Sequence, residues 1–204
     1  MITKGIPRQR NIIFEGNSLF FRATGGAVDG GRFIPVSIYE SVRVGRTLAF
    51  HELSLAGRTQ TQINAALSTN IYPVAKHNDV IVLWEGTNDM YVNDLSGAAA
   101  YANLVTYRNA VVALGAKLVV ATVIARDYLD DDVDLMDRID AYNALVMANT
   151  SLFDGVCALH QDAAFNARAD ASNLTYYNAD KIHQAQGGQD LVVTLLTPVV
   201  EGIL

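Results

Sequence analysis

The chain has 204 residues, of which 50% are hydrophobic and 18% are charged. These values are typical of a folded globular protein and exclude an extensively disordered one. The net charge of −6, with no cluster of Lys or Arg, argues against nucleic acid and an anionic membrane surface as partners. We expect one domain over residues 1–204, with a sizeable core.

The sequence also shows no targeting or membrane segment. Its first ten residues carry charges but lack the apolar stretch of a secretory signal. No run approaches the ~20 apolar residues of a membrane helix. The single cysteine, Cys157, lies in an apolar run and has no partner for an internal disulfide. We therefore expect a buried structural thiol, in a cytoplasmic protein or a module of a larger particle or protein.

Short apolar runs alternate with longer helical patterns along the chain. In chain order they predict strand 11–15, helix 36–44, strand 48–55, helix 61–67, strand 80–85, helix 96–114, strand 117–125, helix 135–149, strand 155–159 and helix 184–200. Nearly continuous apolar strands are typical of a parallel sheet covered on both faces. The alternation predicts a three-layer α/β/α sandwich whose five-stranded parallel sheet has a flavodoxin-like order. Gly115 is expected to cap the third helix, and the glycine-rich stretch 25–31 to form a surface loop.

Polar residues follow three of the predicted strands. Ser18 ends a Gly-Asn-Ser segment after the first strand, Gly57 follows the second, and Asn88 lies in a Gly-Thr-Asn-Asp segment after the third. An Asp-Lys-Ile-His segment, with Asp180 and His183 at its ends, precedes the last helix. Because the carboxyl ends of parallel strands meet at one edge of a sheet, we expect these residues to converge there.

These residue types suit nucleophilic catalysis. A serine hydroxyl is a poor nucleophile until a base accepts its proton, and His183 is the natural base for Ser18. Asp180 would fix the tautomer of the imidazole, since one helical turn would place side chains three residues apart on the same side. The backbone N–H groups of Ser18 and Gly57 and the amide of Asn88 would stabilise the oxyanion. A side chain at position 57 would crowd the substrate carbonyl.

In this order the four segments resemble the four blocks of the SGNH (GDSL-like) hydrolase family, spread over most of the chain. Ser18, Gly57, Asn88 and His183 match the four residues that give the family its name, and Asp180 matches the acid three residues before the histidine. The resemblance implies ester hydrolysis through an acyl-serine intermediate, without metal or cofactor.

Two positions depart from the family's usual pattern. Asn17 stands where the family usually has Asp before the serine, and Gln184 stands where Pro usually follows the histidine. Asn17 corresponds to a residue that supports the turn, so we expect neither departure to abolish catalysis.

The substrate is predicted less directly. The resemblance covers carbohydrate O-deacetylases, lipases, arylesterases and thioesterases. With no long apolar lid and with polar loops, the sequence favours a short acyl group such as acetyl on a sugar or small alcohol. Two other classes stay open: an inactive carbohydrate-binding module on the same fold, and a flavodoxin-like domain that binds nucleotide or flavin. The complete residue set argues against the first, and the lack of a phosphate-cradling glycine loop against the second.

The remaining candidates favour structural roles. No two of the other histidines have zinc-ligand spacing; they are His51, His77 and His160. Acidic residues crowd the stretch 127–134, but their spacing does not fit a calcium-binding EF-hand loop, so we expect a solvated loop beside the cleft. Trp84 and Tyr128 are candidates for the cleft wall, with core packing an equal alternative for Trp84.

Overall fold

The computed structural model describes residues 9–20, 34–127 and 134–204. Five strands form one parallel sheet in the order β2-β1-β3-β4-β5, which confirms the predicted flavodoxin-like arrangement. The strands are β1 (Arg10–Gly16), β2 (Leu48–Glu52), β3 (Val80–Trp84), β4 (Lys117–Ala121) and β5 (Gly155–Cys157). Their carboxyl ends define one edge of the sheet, where the predicted site residues follow.

Alternate residues of each strand point into two separate cores. In β1, Ile12 and Phe14 belong to one core and Ile13 to the other. The first core is covered by α1 (Ile34–Val42) and α7 (Gln186–Ile203), which pack against each other. The period of two along the strands therefore produces the central layer of a sandwich.

The opposite face is covered by the remaining helices. These are α2 (Gln60–Ala65), α3 (Leu67–Asn70), α4 (Thr87–Val92), α5 (Gly97–Ala113) and α6 (Leu135–Ala148). Leu104 of α5 and Ile139 of α6 are among the side chains that fill this second core. Within the described ranges, no helix has both the length and the apolarity that a membrane span requires.

Several predicted strands are too long at their carboxyl ends. β2 stops at Glu52 instead of 55, β4 at Ala121 instead of 125, and β5 at Cys157 instead of 159. The apolar residues after β4 are still buried, with 1–2% exposure at Val123, Ile124 and Ala125. They lie in the loop after the strand, and Val123 and Ile124 pack into the two cores, so their hydrophobicity does not distinguish a strand from a buried loop.

Four helical regions differ from the predicted bounds by two residues or more, and one of them is α1, which lies at Ile34–Val42 instead of 36–44. The predicted helix 61–67 is two short helices, α2 and α3, and α4 forms after β3, where no helix is predicted. α7 begins two residues late and continues past Pro198 to Ile203. Gly115 confirms its predicted role: its φ of 70° and the bond from Ala116 N–H to the Val111 carbonyl close α5.

Two other predicted residues lie in the core. Cys157 is 4% exposed, and burial raises the pKa of its thiol to about 12, as expected of a structural cysteine. Trp84 is fully buried and donates its indole N–H to the Thr122 carbonyl at 3.0 Å, so it packs in the core and does not line a cleft. The predicted 25–31 loop and Tyr128 lie outside the described residues.

Candidate active site

At the carboxyl edge of the sheet, two hydrogen bonds join a hydroxyl, an imidazole and a carboxylate. His183 Nε2 lies 2.8 Å from Ser18 Oγ, and His183 Nδ1 lies 2.7 Å from Asp180 Oδ2. With its proton on Nδ1, the neutral ring donates to Asp180 and accepts from the hydroxyl of Ser18. This arrangement can accept a proton from Ser18 and place the resulting positive charge against a carboxylate.

Asp180 and His183 are joined by a turn and not by the helical turn that the spacing predicted. Asp180 Oδ1 accepts from the backbone N–H groups of Ile182 at 2.9 Å and His183 at 3.0 Å. Lys181 takes a φ of 56°, and α7 begins only at Gln186. Aspartate favours such local bonding to the backbone over a helix, and this explains the difference.

The same turn controls the charge of Asp180. Partial burial raises the pKa of its carboxyl, but the hydrogen bonds from the His183 ring and from two backbone N–H groups outweigh it. The pKa falls to about 2 as a result. Asp180 is therefore ionised across the neutral pH range, as a partner of an imidazolium must be.

Ser18 is held by a tight turn directly after β1. A Cβ at Gly16 would collide with the Trp84 carbonyl oxygen of β3, so only glycine allows the two strand ends to approach this closely. Asn17 is fully buried; its Oδ1 accepts from Leu19 N–H at 2.9 Å, and its Nδ2 donates to Glu85 Oε1 at 3.0 Å. The asparagine at this position is thus paired with a buried carboxyl.

The three predicted oxyanion donors lie on adjoining segments. Leu55 N–H donates to the Gly16 carbonyl at 3.1 Å, so the loop with Gly57 runs beside the turn of Ser18. Asn88 Nδ2 donates to the Arg58 carbonyl at 2.8 Å, joining α4 to that loop. Among the described residues, the backbone N–H groups of Ser18 and Gly57 have no acceptor.

The backbone gives glycine at position 57 a reason of its own, and the predicted crowding of the substrate carbonyl stays a prediction. Its φ of 74° lies in the left-handed region, where a side chain is strained, while a Cβ there would meet no described atom within 4 Å. The backbone conformation of the loop, and not crowding by neighbouring protein atoms, requires glycine.

Asp89 joins the segments of Gly57 and Asn88. Its carboxylate accepts from the N–H groups of Gln60 and Thr61 at the start of α2, and from the hydroxyl of Thr61 at 2.8 Å. A carboxylate at the amino end of a helix satisfies free N–H groups and is favoured by the helix dipole. The sequence motif contained Asp89, but its role in fixing α2 appears only in the structure.

The acidic stretch 127–134 is described only at its two ends. Asp127 Oδ1 pairs with Arg168 Nε at 2.7 Å, and Asp127 Oδ2 pairs with Lys181 Nζ at 2.7 Å. Its backbone N–H also donates to the Lys181 carbonyl at 3.1 Å. Asp127 therefore stabilises the turn between Asp180 and His183. Residues 130–132 lie outside the described ranges.

A buried polar layer beneath the site was not predicted. Arg58, between Gly57 and α2, is 7% exposed and pairs with the fully buried Glu15 of β1. Burial raises the pKa of Glu15 and of Glu52 to about 7, the nearby charge of Arg58 only partly offsetting the first shift. Glu85, also buried, has a raised pKa for the same reason. Glu15 and Glu85 each stand directly before a glycine at or just after the end of a strand, but this pattern does not show that their side chains are buried or that Glu15 pairs with Arg58.

The comparison with known proteins rests on the fold. The sequence matches no protein-family model and no curated relative. A Parabacteroides merdae protein described as a GDSL-like lipase superposes with a TM-score of 0.74 at 11% identity, over 97% of each chain. A lipase/acylhydrolase of Enterococcus faecalis gives 0.69 at 15% identity, over 95% of this chain and 96% of that one.

A third similar structure has a named substrate. It is a variant of an acetyl xylan esterase from Geobacillus stearothermophilus, with a TM-score of 0.67 at 16% identity over 94% of each chain. These superpositions span nearly the whole of every chain compared. The protein has the SGNH hydrolase fold.

Proposed function

We propose that the protein is a serine esterase in which Ser18 is the nucleophile, His183 the general base and Asp180 the residue that orients the base. One observation carries the proposal: the imidazole of His183 lies within hydrogen-bond distance of both Ser18 and Asp180, at 2.8 and 2.7 Å. The turn that keeps Asp180 ionised supports it, as do the N–H groups of Ser18 and Gly57, for which the described part of the chain offers no acceptor.

Acylation follows from this geometry. Ser18 Oγ attacks the ester carbonyl carbon while its proton passes to His183 Nε2. The carbonyl oxygen becomes an oxyanion that accepts from the N–H groups of Ser18 and Gly57 and from the amide of Asn88. When the tetrahedral intermediate collapses, the carbonyl re-forms, the bond to the alcohol oxygen breaks, and the alcohol leaves with the proton from His183.

Deacylation repeats the sequence with water. His183 takes a proton from a water molecule, whose oxygen attacks the carbonyl carbon of acyl-Ser18. Collapse of the second intermediate releases the carboxylic acid and returns the proton to Ser18 Oγ. The chemistry assigned to these residues calls for no metal or cofactor.

We further propose that the acyl group is short, acetyl in the first place, and that its alcohol is a sugar or a small alcohol. The polar loops predicted from the sequence favour a short acyl group over a long lipid chain. A fold neighbour described as an acetyl-xylooligosaccharide esterase supports a carbohydrate ester.

Turnover of p-nitrophenyl acetate by Ser18→Ala and His183→Ala tests the mechanism. We expect each variant to fall by about 10³-fold or more in kcat, because nucleophile and base act as a unit. Ser41→Ala, on the exposed side of α1, and His77→Ala, exposed before β3, are the matched controls and should retain full activity. Unchanged turnover in Ser18→Ala, with wild-type circular dichroism, would exclude the mechanism.

A series of p-nitrophenyl esters and acetylated xylo-oligosaccharides tests the substrate. Acetyl esters should exceed octanoyl esters in kcat/KM, and Ser18→Ala should abolish acetate release from the oligosaccharides. Faster turnover of octanoyl esters would favour a lipase or thioesterase. Tight oligosaccharide binding without any turnover would favour a carbohydrate-binding module instead.

A further inference from the structure

A buried ion pair lies beneath the loop that carries Gly57. Arg58 Nη1 lies 2.6 Å from Glu15 Oε1 and donates to the Leu53 carbonyl at 2.9 Å. The two charged side chains are 7% and 0% exposed. Glu15 belongs to β1, three residues before Ser18. The side chain of Arg58 therefore ties the Gly57 loop to the strand that delivers Ser18.

The backbone of the same residue contacts a second donor. The Arg58 carbonyl accepts from Asn88 Nδ2 at 2.8 Å. Because a carbonyl can only accept, this bond requires the NH₂ group of Asn88, and not its Oδ1, to face the loop. The NH₂ group has a second hydrogen, which this bond leaves free for a substrate oxygen. The Arg58 carbonyl thus determines which end of the Asn88 amide faces the loop.

The Gly57 N–H depends on Arg58 in a different way. Gly57 is exposed and has a φ of 74°, whereas the next residue, Arg58, is buried. A left-handed glycine allows many neighbouring conformations, so a fixed neighbour has to limit them. The hydrogen bonds from Arg58 to Glu15 and to the Leu53 carbonyl limit the conformation at both ends of the loop.

Stability alone is a weak reason for such a pair. Desolvation of two buried charges offsets much of their attraction, and well-packed apolar residues in their place are often as stable. Glu15 Oε2 has no hydrogen-bond partner among the described residues, so its burial is not fully compensated. A pair of apolar residues would not reproduce the fixed direction of the two hydrogen bonds that Arg58 Nη1 donates.

We infer that Arg58, held by Glu15, is a positioning residue of the oxyanion hole, aligning the Gly57 N–H and the Asn88 amide with Ser18. This inference rests on the proposed esterase function. Arg58 does not touch the substrate, so its loss should weaken stabilisation of the transition state and leave ground-state binding nearly intact.

Three variants test the inference on p-nitrophenyl acetate. Arg58→Met should lower kcat by about 10–100-fold, less than the 10²–10³-fold loss of a whole donor, with KM changed by less than about threefold. Arg58→Lys keeps the charge but loses the directed pair of bonds, so it should retain part of the activity. Arg43→Met changes an exposed arginine in the turn that follows α1; it is the matched control and should behave as wild type.

The double variant Glu15→Met/Arg58→Met separates positioning from folding. Without the unpaired buried carboxyl of the single variant, it should regain thermal stability while kcat stays at the low value of Arg58→Met. Recovery of wild-type kcat in this stable double variant would overturn the inference. So would a rise in KM at unchanged kcat in Arg58→Met, because that would indicate substrate binding.

A parallel measurement on Ser18→Ala distinguishes a failure of the positioning role of Arg58 from a failure of the esterase mechanism. If Ser18→Ala is inactive and a folded Arg58→Met has wild-type kcat, only the positioning role of Arg58 fails. If Ser18→Ala itself turns over the ester, the proposed esterase mechanism fails, whatever Arg58 does.

Discussion

At the scale of single residues, the site depends on which atoms are donors and which are acceptors. Asn17 provides one of each: its Oδ1 accepts from Leu19 N–H, and its Nδ2 donates to the carboxyl of Glu85. Glu85 Oε1 also accepts from Gly86 N–H at 3.0 Å. Glu85 Oε1 acts as an acceptor, and the NH₂ group of Asn17 is the donor that matches it. An aspartate at position 17 would instead bring two carboxyl groups together.

Asn17→Asp tests this pairing. We expect a loss of about 1–3 kcal/mol in the free energy of unfolding at pH 8, because an acceptor would replace a buried donor. Burial beside a second carboxyl raises the pKa of both groups in the folded state, so the loss should shrink as the pH falls toward 5. Urea unfolding at both pH values measures the difference.

Glu85→Gln in the Asn17→Asp background is the matched rescue. The amide of the new side chain can donate where the carboxyl of Glu85 could not, so at least half of the lost stability should return. Equal stability of wild type and Asn17→Asp at pH 8 would show that the contact between Asn17 and Glu85 does not matter for folding.

Residues of this buried layer are the part of the site that could not be predicted. The nucleophile, base and acid stand in motifs, but Glu15 and Arg58 are isolated charges in sequence, and isolated charges are usually solvated. Their burial depends on a contact across 43 positions of the chain. Only the three-dimensional neighbourhood shows that they pair.

At the scale of secondary-structure elements, one close helix contact positions the second layer. A Cβ at Gly97, the first residue of α5, would collide with the Arg138 carbonyl oxygen and approach Tyr142 N to 2.6 Å, both in α6. The missing side chain therefore allows the backbones of α5 and α6 to touch. Tyr142 of α6 also donates its hydroxyl to the Glu85 carbonyl at 3.3 Å, so the contact extends toward the site.

Gly97→Ala should consequently lower the free energy of unfolding by about 1–3 kcal/mol through overpacking. Gly202→Ala is the control, because a Cβ there meets no atom of the described residues within 4 Å and alanine is the better helix former. It should be neutral or stabilise α7 by up to about 1 kcal/mol. Thermal and urea unfolding measure both; a neutral Gly97→Ala would show that α5 and α6 can separate at little cost.

Elements were predicted well where a single physical signal determined them. β3 is an uninterrupted apolar run, and Gly115 follows the end of α5, so both elements lie within a residue or two of their predicted bounds. The carboxyl ends of β2 and β4 were predicted wrongly, because an apolar run does not distinguish a strand from a loop. After β4 the apolar Val123 is a buried loop residue, and after β2 the apolar Leu55 is an exposed one. α4 is six residues long and begins at a motif that also suits a plain turn.

At the scale of the whole molecule, buried carboxyl groups couple stability to pH. Burial raises the pKa of Glu15 and of Glu52 to about 7, from 4.5 in the unfolded chain. A group with a raised pKa in the folded state contributes stability that is fully present below pH 4.5 and is lost as the pH rises through 7. These two groups should therefore make the protein less stable at pH 7.5 than at pH 5.

Glu52→Gln isolates one of these contributions. Its side chain can still accept from Ser54 N–H, as Glu52 does at 3.0 Å, but it does not titrate. In Glu52→Gln, the loss of stability between pH 5 and pH 7.5 should be smaller than in wild type. Glu40→Gln changes an exposed residue of α1 and is the control, so its loss should equal that of wild type. The half-buried His160 has a lowered pKa and affects stability in the opposite direction, but it is common to all three proteins. Identical pH slopes in wild type and Glu52→Gln would contradict the assignment.

The convergence of Ser18 with His183, across 165 positions, is the property of the whole molecule on which the account depends. A fluorophosphonate probe of serine nucleophiles, followed by mass spectrometry of the digested protein, tests it most directly. We predict one label per chain, on the peptide with Ser18, slowed by about 10³-fold or more in His183→Ala because the base is lost. Labelling of another serine, or no labelling of a sample that hydrolyses p-nitrophenyl acetate, would contradict the account.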